Sequence, residues 1–203
     1  MYRLFGKRIL DIFFSLLGLP FFGLVFLAAA PLIKLSDGGP VFYNAERLGY
    51  KGRVFKMYKF RSMRVNAPDI RNADGSTFNA EDDPRVTPIG RILRKTSLDE
   101  TPQILNVLKG DMSFVGPRPV LTTHYRGYGK LGAKRKKRLQ VLPGITGYSQ
   151  AYYRNSISQN EKIEQDCFYV EHLSLSLDIQ IVLQTIRAVL RRENIFVPGS
   201  GKK

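Results

Sequence analysis

Residues 12–33 contain no charged side chain, and a helix needs roughly 20 apolar residues to cross a bilayer. This run commits the chain to a lipid environment. A cleaved leader fits poorly, because the run is long and the candidate cleavage site Ala28-Ala29-Ala30 is followed by Pro31. Arg3, Lys7 and Arg8 precede the run, and Lys34, Arg47, Lys51 and Arg53 follow it. A spanning helix keeps its basic excess on the cytoplasmic side, so basic flanks at both ends predict a segment that enters and returns. Pro20, preceded by Gly18, removes a helical hydrogen bond and gives a cause for a break, with Ser15 as a partner for the freed backbone groups. A kinked spanning helix is the alternative.

The rest of the chain is polar and basic. At 203 residues and a formal charge of +15, it is large enough for one cored domain. Its charge requires anionic partners: nucleic acid, an anionic membrane surface or phosphorylated substrates. No recognised nucleic-acid motif is present. The single cysteine, Cys167, excludes an intrachain disulfide and suits a reducing compartment. His124 and His172 are too far apart in sequence to suggest a metal site.

Gly38-Gly39-Pro40 ends the apolar helix, and residues 41–46 and 53–60 read as a β-hairpin around Gly49-Tyr50-Lys51-Gly52. Residues 64–83 read as a flexible polar loop. Within it Asn72, Asp74, Gly75 and Glu81 partly match a calcium loop, but Ile70 stands at the first ligand position and excludes that site. Thr87-Pro88 starts a helix as cap and first residue, and it carries Arg91, Arg94 and Lys95. Ser97 and Glu100 have capping-box spacing, which predicts a second helix from Ser97 to the stop at Gly110.

Asp99 and Glu100 then fall in a first helical turn, where the peptide dipoles keep a carboxylate ionised. Two adjacent carboxylates there suit a nucleophile and a metal or proton partner; stabilising a helix end is the plain alternative. Gly116-Pro117-Arg118-Pro119 holds Arg118 on a stiff extended backbone, suited to bidentate phosphate contact or to a structural ion pair. The run Lys134-Arg135-Lys136-Lys137-Arg138 reads as contact with anionic headgroups. Tyr148, Tyr152, Tyr153 and Arg154 either flank a base or pack at a membrane interface. Asp166 is expected to face the core and be paired. Residues 177–192 form a helix with Ile179, Val182, Leu183, Ile186 and Leu190 on one side, interfacial or core-facing.

Taken in order, Lys59-Phe60-Arg61-Ser62-Met63, Asp83-Pro84-Arg85-Val86-Thr87, Ser97-Leu98-Asp99-Glu100, Gly110-Asp111-Met112 through Pro119, and Pro143-Gly144-Ile145-Thr146-Gly147 closely resemble the bacterial sugar transferases, the monotopic phosphoglycosyl transferases. The family's helix-breaking Ser-Pro pair is absent here, and Pro20 sits about one turn earlier.

The resemblance implies a mainly helical α+β, monotopic membrane protein. Residues 1–36 would form a re-entrant helix-break-helix. Residues 37–193 would form a cytoplasmic catalytic domain with a short β-hairpin and amphipathic interfacial helices, followed by a loose tail over 194–203. It implies an enzyme at the bacterial inner membrane that moves a sugar-1-phosphate from a UDP-sugar to a polyprenol (undecaprenyl) phosphate and releases UMP. In that scheme Asp99 is the nucleophile and Glu100 holds Mg²⁺. Lys59, Arg94, Arg118, Arg154 and Asp166 serve phosphate binding or its support. A membrane-anchored basic binder of nucleic acid or anionic lipid is the competing function, and it leaves the carboxylate pair without a purpose.

Overall fold

The structure, a computed structural model, describes residues 1–70, 78, 80, 82–122, 125–154 and 156–191. A π-helical turn, Tyr2–Gly6, leads into α1 (Lys7–Asp37), which ends where Gly38 takes φ 74 and donates its N–H to the Lys34 carbonyl. α1 is one helix through both Pro20 and Pro31. The expected helix-break-helix is therefore corrected. A proline removes a single i→i−4 bond, and packing holds the turns beyond it: Phe22, Val25, Phe26, Ala29 and Ile33 lie against Phe42, Phe60 and Leu93. Ser15 does not serve freed backbone groups as expected, since its buried Oγ has no hydrogen-bond partner among the described residues.

One face of α1 lies against the rest of the protein over the helix's whole length. Asp11, Ser15, Ala29 and Ile33 are buried, while Ile9, Phe13, Leu17, Leu24, Leu27 and Leu35 point outward and are exposed. Polar contacts fix both ends. At the start, Lys7 Nζ lies 2.5 Å from Asp178, and Arg8 donates to the Val107 and Leu108 carbonyls at 2.5 and 2.8 Å. Asp11 Oδ1 accepts from Ser113 Oγ and the Phe114 N–H, both at 3.0 Å. At the end, Asp37 accepts two Arg61 hydrogen bonds of 2.5 Å, and Arg61 Nε donates to the Pro40 carbonyl at 2.6 Å.

β1 (Phe42–Leu48) and β2 (Val54–Phe60) form the expected hairpin, with Phe42 opposite Phe60 and Leu48 opposite Val54. The rings of Phe26, Phe42 and Phe60 stack with centroids 5.5 to 6.3 Å apart and tie the hairpin to α1. Phe60→Ala should cost about 3–5 kcal/mol, seen as a lower denaturant midpoint in detergent. A loss below ~1 kcal/mol would show that these rings do not anchor the helix.

α2 (Pro88–Thr96) starts as the sequence predicts: the Thr87 side chain accepts from the Gly90 N–H, and Pro88 is the first residue. Gly90 is required, because a Cβ there would stand 2.0 Å from the Ser62 carbonyl oxygen. α3 (Gln103–Lys109) stops at Gly110, φ 84. β3 (Ser113–Val115) pairs in parallel with β5 (Gly144–Thr146), and β4 (Val120–Leu121) extends the hairpin into the order β2-β1-β4. These short strands have no periodicity long enough to read in the sequence.

α4 (Ala133–Arg138), α5 (Tyr148–Tyr152), α6 (Gln159–His172) and α7 (Leu175–Leu190) complete the fold. In the basic run on α4, Lys134 pairs with Glu164 at 2.6 Å, Lys137 with Glu171, and Arg138 with Asp166 at 2.5 Å, all on α6. In α7, Asp178, Ile181 and Ala188 face inward, so the stripe of Ile179, Val182, Leu183, Ile186 and Leu190 is not core-facing but exposed. The fold is α+β and mainly helical. Most of the polar loop's centre with its calcium-like spacing, His124, Arg192 and the tail from 194 lie outside the described residues.

Candidate active site

Lys59 stands near the end of β2, one residue before the buried Phe60. The free edge of β2 is satisfied by a side chain rather than a strand: Asn106 of α3 accepts from the Tyr58 N–H at 2.9 Å and donates to the Lys56 carbonyl at 2.8 Å. That two-way bond, made by the fully buried Asn106, docks α3 and the turn before it beside Lys59.

The turn itself corrects the capping-box expectation. Ser97 is left-handed, φ 58, and its N–H closes α2 on the Leu93 and Arg94 carbonyls. With that N–H spent and the backbone outside cap geometry, Glu100 cannot return a bond to it. Leu98–Glu100 is a 3-10 turn without a side-chain cap, and α3 begins only at Gln103. The carboxylates thus occupy a corner between two helices. A genuine capping box is found instead at Ser158 and Glu161, where α6 starts.

The corner gives the two acids opposite characters. Burial works against the Glu100 charge, but Lys59 Nζ at 2.5 Å and Arg118 Nη2 at 3.3 Å outweigh it and hold Glu100 down to about 2. It is therefore a permanent anion. Asp99 is pushed above the ordinary carboxylate value by burial first; Lys59, Arg94 and Arg118 oppose the push and Glu100 adds to it. Its carboxylate accepts no hydrogen bond among the described residues, so nothing blunts its lone pairs. Asp99 does not lie in the first turn of α3, as the sequence led one to expect, but in the 3-10 turn before it.

Arg94 is positioned by Ser62, whose Oγ accepts from Nε at 2.9 Å. Asp83 and Arg85 form a bidentate buried pair, and Arg85 also donates to the Pro68 and Phe78 carbonyls, so this motif holds a loop. Arg154 sits in the turn after α5 with φ 48. Asp166 is buried and paired as expected, with Ser149 and Arg138; neither Asp99 nor Glu100 is among its hydrogen-bond or ion-pair partners. Tyr148, Tyr152 and Phe168 pack on one another, with centroids 4.7 and 5.1 Å from Tyr148.

The structure thus brings Lys59, Arg94, Asp99, Glu100 and Arg118 together, and Asp166 is linked to them through Arg138, which donates to the Arg118 carbonyl. Sequence reasoning missed Ser62, Asn106 and Arg138. Only Asn106 gave a signal, as an amide inside the apolar run Ile104-Leu105-Asn106-Val107-Leu108.

Among the described residues no group of three or more His, Cys, Asp or Glu converges on a metal position. Mg²⁺ does not require one, since it keeps its waters and binds through one or two carboxylates plus substrate phosphates. Glu100 fits that role: Lys59 and Arg118 share its Oε1, while Oε2 accepts no hydrogen bond from the described residues.

Paired acids ringed by cations thus sit on a domain with long exposed apolar helix faces. The bacterial sugar transferase family model matches residues 2–192, and the chain belongs to that family. It is 44% identical over 196 residues to the galactosyl transferase CpsE of Streptococcus agalactiae, covering 93% of this chain and 43% of that protein. It is 41% identical to the uncharacterized sugar transferase EpsL of Bacillus subtilis, covering 93% and 89%. It is 37% identical to the undecaprenyl-phosphate galactose phosphotransferase of Salmonella typhimurium, covering 95% and 42%. The chain therefore spans nearly all of one relative and less than half of the other two.

Proposed function

We propose that the protein is a phosphoglycosyl transferase that moves a sugar-1-phosphate from a UDP-sugar to a polyprenol phosphate, undecaprenyl phosphate by analogy with the Salmonella relative. One observation carries the reading: of two consecutive carboxylates, one is locked as an anion by Lys59 and Arg118, while the other is buried, uncommitted and surrounded by cations.

In this reading an Asp99 oxygen attacks the β-phosphorus, and the bond from that phosphorus to the bridging oxygen breaks. The electron pair leaves with UMP, and an aspartyl phosphosugar remains. An oxygen of the lipid phosphate then attacks the same phosphorus and releases Asp99. Splitting the transfer in this way lets each anionic partner visit the site separately. Lys59, Arg94 and Arg118 draw the diphosphate in and offset its charge. Mg²⁺, held by Glu100 with the diphosphate, would supply further charge compensation for the leaving group.

The lipid acceptor requires a membrane, and the exposed faces of α1 and α7 supply the apolar surface. α1, with 31 residues, is roughly 45 Å long at 1.5 Å per residue. Lys7 and Arg8 at one end and Asp37 at the other are bonded to the same domain. That supports a monotopic placement, with α1 in one leaflet and the domain of residues 37–193 on the cytoplasmic side of the inner membrane. The competing basic binder leaves the Asp99–Glu100 corner and its cations without a purpose.

The test is a panel of UDP-sugars assayed for UMP release with undecaprenyl phosphate present; no release with any donor would overturn the reading. Glu100→Gln should lower the rate by orders of magnitude and raise the Mg²⁺ concentration needed for half-maximal activity. Parent activity that survives thorough chelation would remove the metal from the scheme.

A further inference from the structure

We propose that Asp166 and Arg138 are positioning residues: a buried pair that sets the backbone of Arg118 and so its reach toward the donor diphosphate. The proposal rests on the phosphoglycosyl reading of the site. Asp166 is 1% exposed in its side chain, and its Oδ1 accepts from Ser149 Oγ at 2.9 Å. Its Oδ2 lies 2.5 Å from Arg138 Nη2, and that same nitrogen donates to the Arg118 carbonyl at 3.1 Å. The contact to Oδ2 is an ion pair without hydrogen-bond geometry, so the carboxylate acts by its charge: it fixes where the guanidinium stands, and from there Nη2 donates to the Arg118 carbonyl.

Arg118 needs such support. Its side chain is half exposed, and among the described residues its one hydrogen bond in the site is the 3.3 Å bond to Glu100. A bond of that length is lost with a small backbone shift. On the preceding residue, the Pro117 carbonyl accepts from the Gly144 N–H at 3.0 Å, so Arg138 and β5 pin both carbonyls that bracket the arginine. Ser149 extends the arrangement: its carbonyl accepts from the N–H groups of Tyr153 and Arg154 at 3.1 and 3.0 Å, so the turn carrying Arg154 leans on the same carboxylate.

A buried ion pair adds little net stability, and apolar residues of similar volume replace many such pairs without loss. They do not replace a donor to the Arg118 carbonyl, and this separates positioning from mere support. The experiment measures UDP binding by calorimetry, with Mg²⁺ present, to the full chain in detergent, alongside melting temperature. Asp166→Leu combined with Arg138→Met should bind UDP about tenfold more weakly, as expected when a charged phosphate contact is misplaced. The melting temperature should stay close to that of the parent. In an Arg118→Ala background the same pair should change affinity by less than about twofold, since its effect passes through Arg118. If the pair variant does not fold, Asp166→Asn, which keeps the shape and loses the charge, is measured in the same cycle. Parent-like affinity in the pair variant, or a full effect persisting in Arg118→Ala, would overturn the positioning role alone. Parent-like affinity in Arg118→Ala itself would overturn the reading of the site, and the proposal with it.

Discussion

Asp99→Asn is expected to abolish turnover, by on the order of 10⁴-fold or more, as when other nucleophiles are removed. The fold should survive. The amide has the carboxylate's shape, and burial disfavours the Asp99 charge in the first place, so losing that charge does not remove a stabilising ion pair. The melting temperature should therefore hold or rise, which separates a chemical defect from a folding defect. Mass spectrometry of the parent mixed with donor alone should show a phosphosugar adduct, and the variant should show none. An adduct on the variant, or wild-type-like turnover, would reassign the nucleophile. Glu100 is a poor substitute, because Lys59 and Arg118 already occupy one of its oxygens.

Cysteines placed singly at Arg3 and Ser36 in a Cys167→Ser background should both react with a membrane-impermeant reagent only from the cytoplasmic side. Both positions are exposed, whereas the neighbouring Tyr2 is tied to Asp178 by a 2.5 Å hydrogen bond and is a poor probe. A spanning α1 would have to break either the Lys7 and Arg8 contacts or the Arg61–Asp37 pair, since these lie at opposite ends of the helix. Breaking the buried Lys7–Asp178 pair by separating its partners would cost about 3–5 kcal/mol, and the more exposed Arg61–Asp37 pair less. Labelling of Arg3→Cys from outside intact cells would overturn the monotopic placement. Pro20→Leu should leave the labelling unchanged, because α1 already runs through Pro20 without a break.

The elements legible in the sequence were those whose cause is local. The Gly49 hairpin, the Thr87-Pro88 helix start, the Gly38 and Gly110 stops and the outward stripe of α7 all follow from turn chemistry, fixed φ or a period of 3.6 residues. These signals act within a few residues and need no partner. The motif order likewise marked Lys59, Arg94, Asp99, Glu100 and Arg118, and the structure gathers all five at one corner. The break at Pro20 and the capping box at Ser97 were just as locally plausible, and both failed to distant or competing bonds. Packing on Phe60 keeps α1 helical beyond its proline, and α2 claims the Ser97 N–H for its own end.

What only the tertiary structure decided is which charge meets which. A basic residue in sequence is equally a headgroup contact, a phosphate ligand or half of an ion pair, because its Coulomb energy depends on distance and burial that sequence spacing does not encode. Folding paired Lys134, Lys137 and Arg138 with α6, joined Asp166 to Ser149 and Arg138, and used Asn106 as a surrogate strand to bring Glu100 within 2.5 Å of Lys59. The pairing of Asp99 with Glu100 was written in the chain; their opposite protonation tendencies arise from burial, which raises Asp99 against the pull of its cations, and from the direct bonds of Lys59 and Arg118, which hold Glu100 down, and these surroundings come together only in the folded domain.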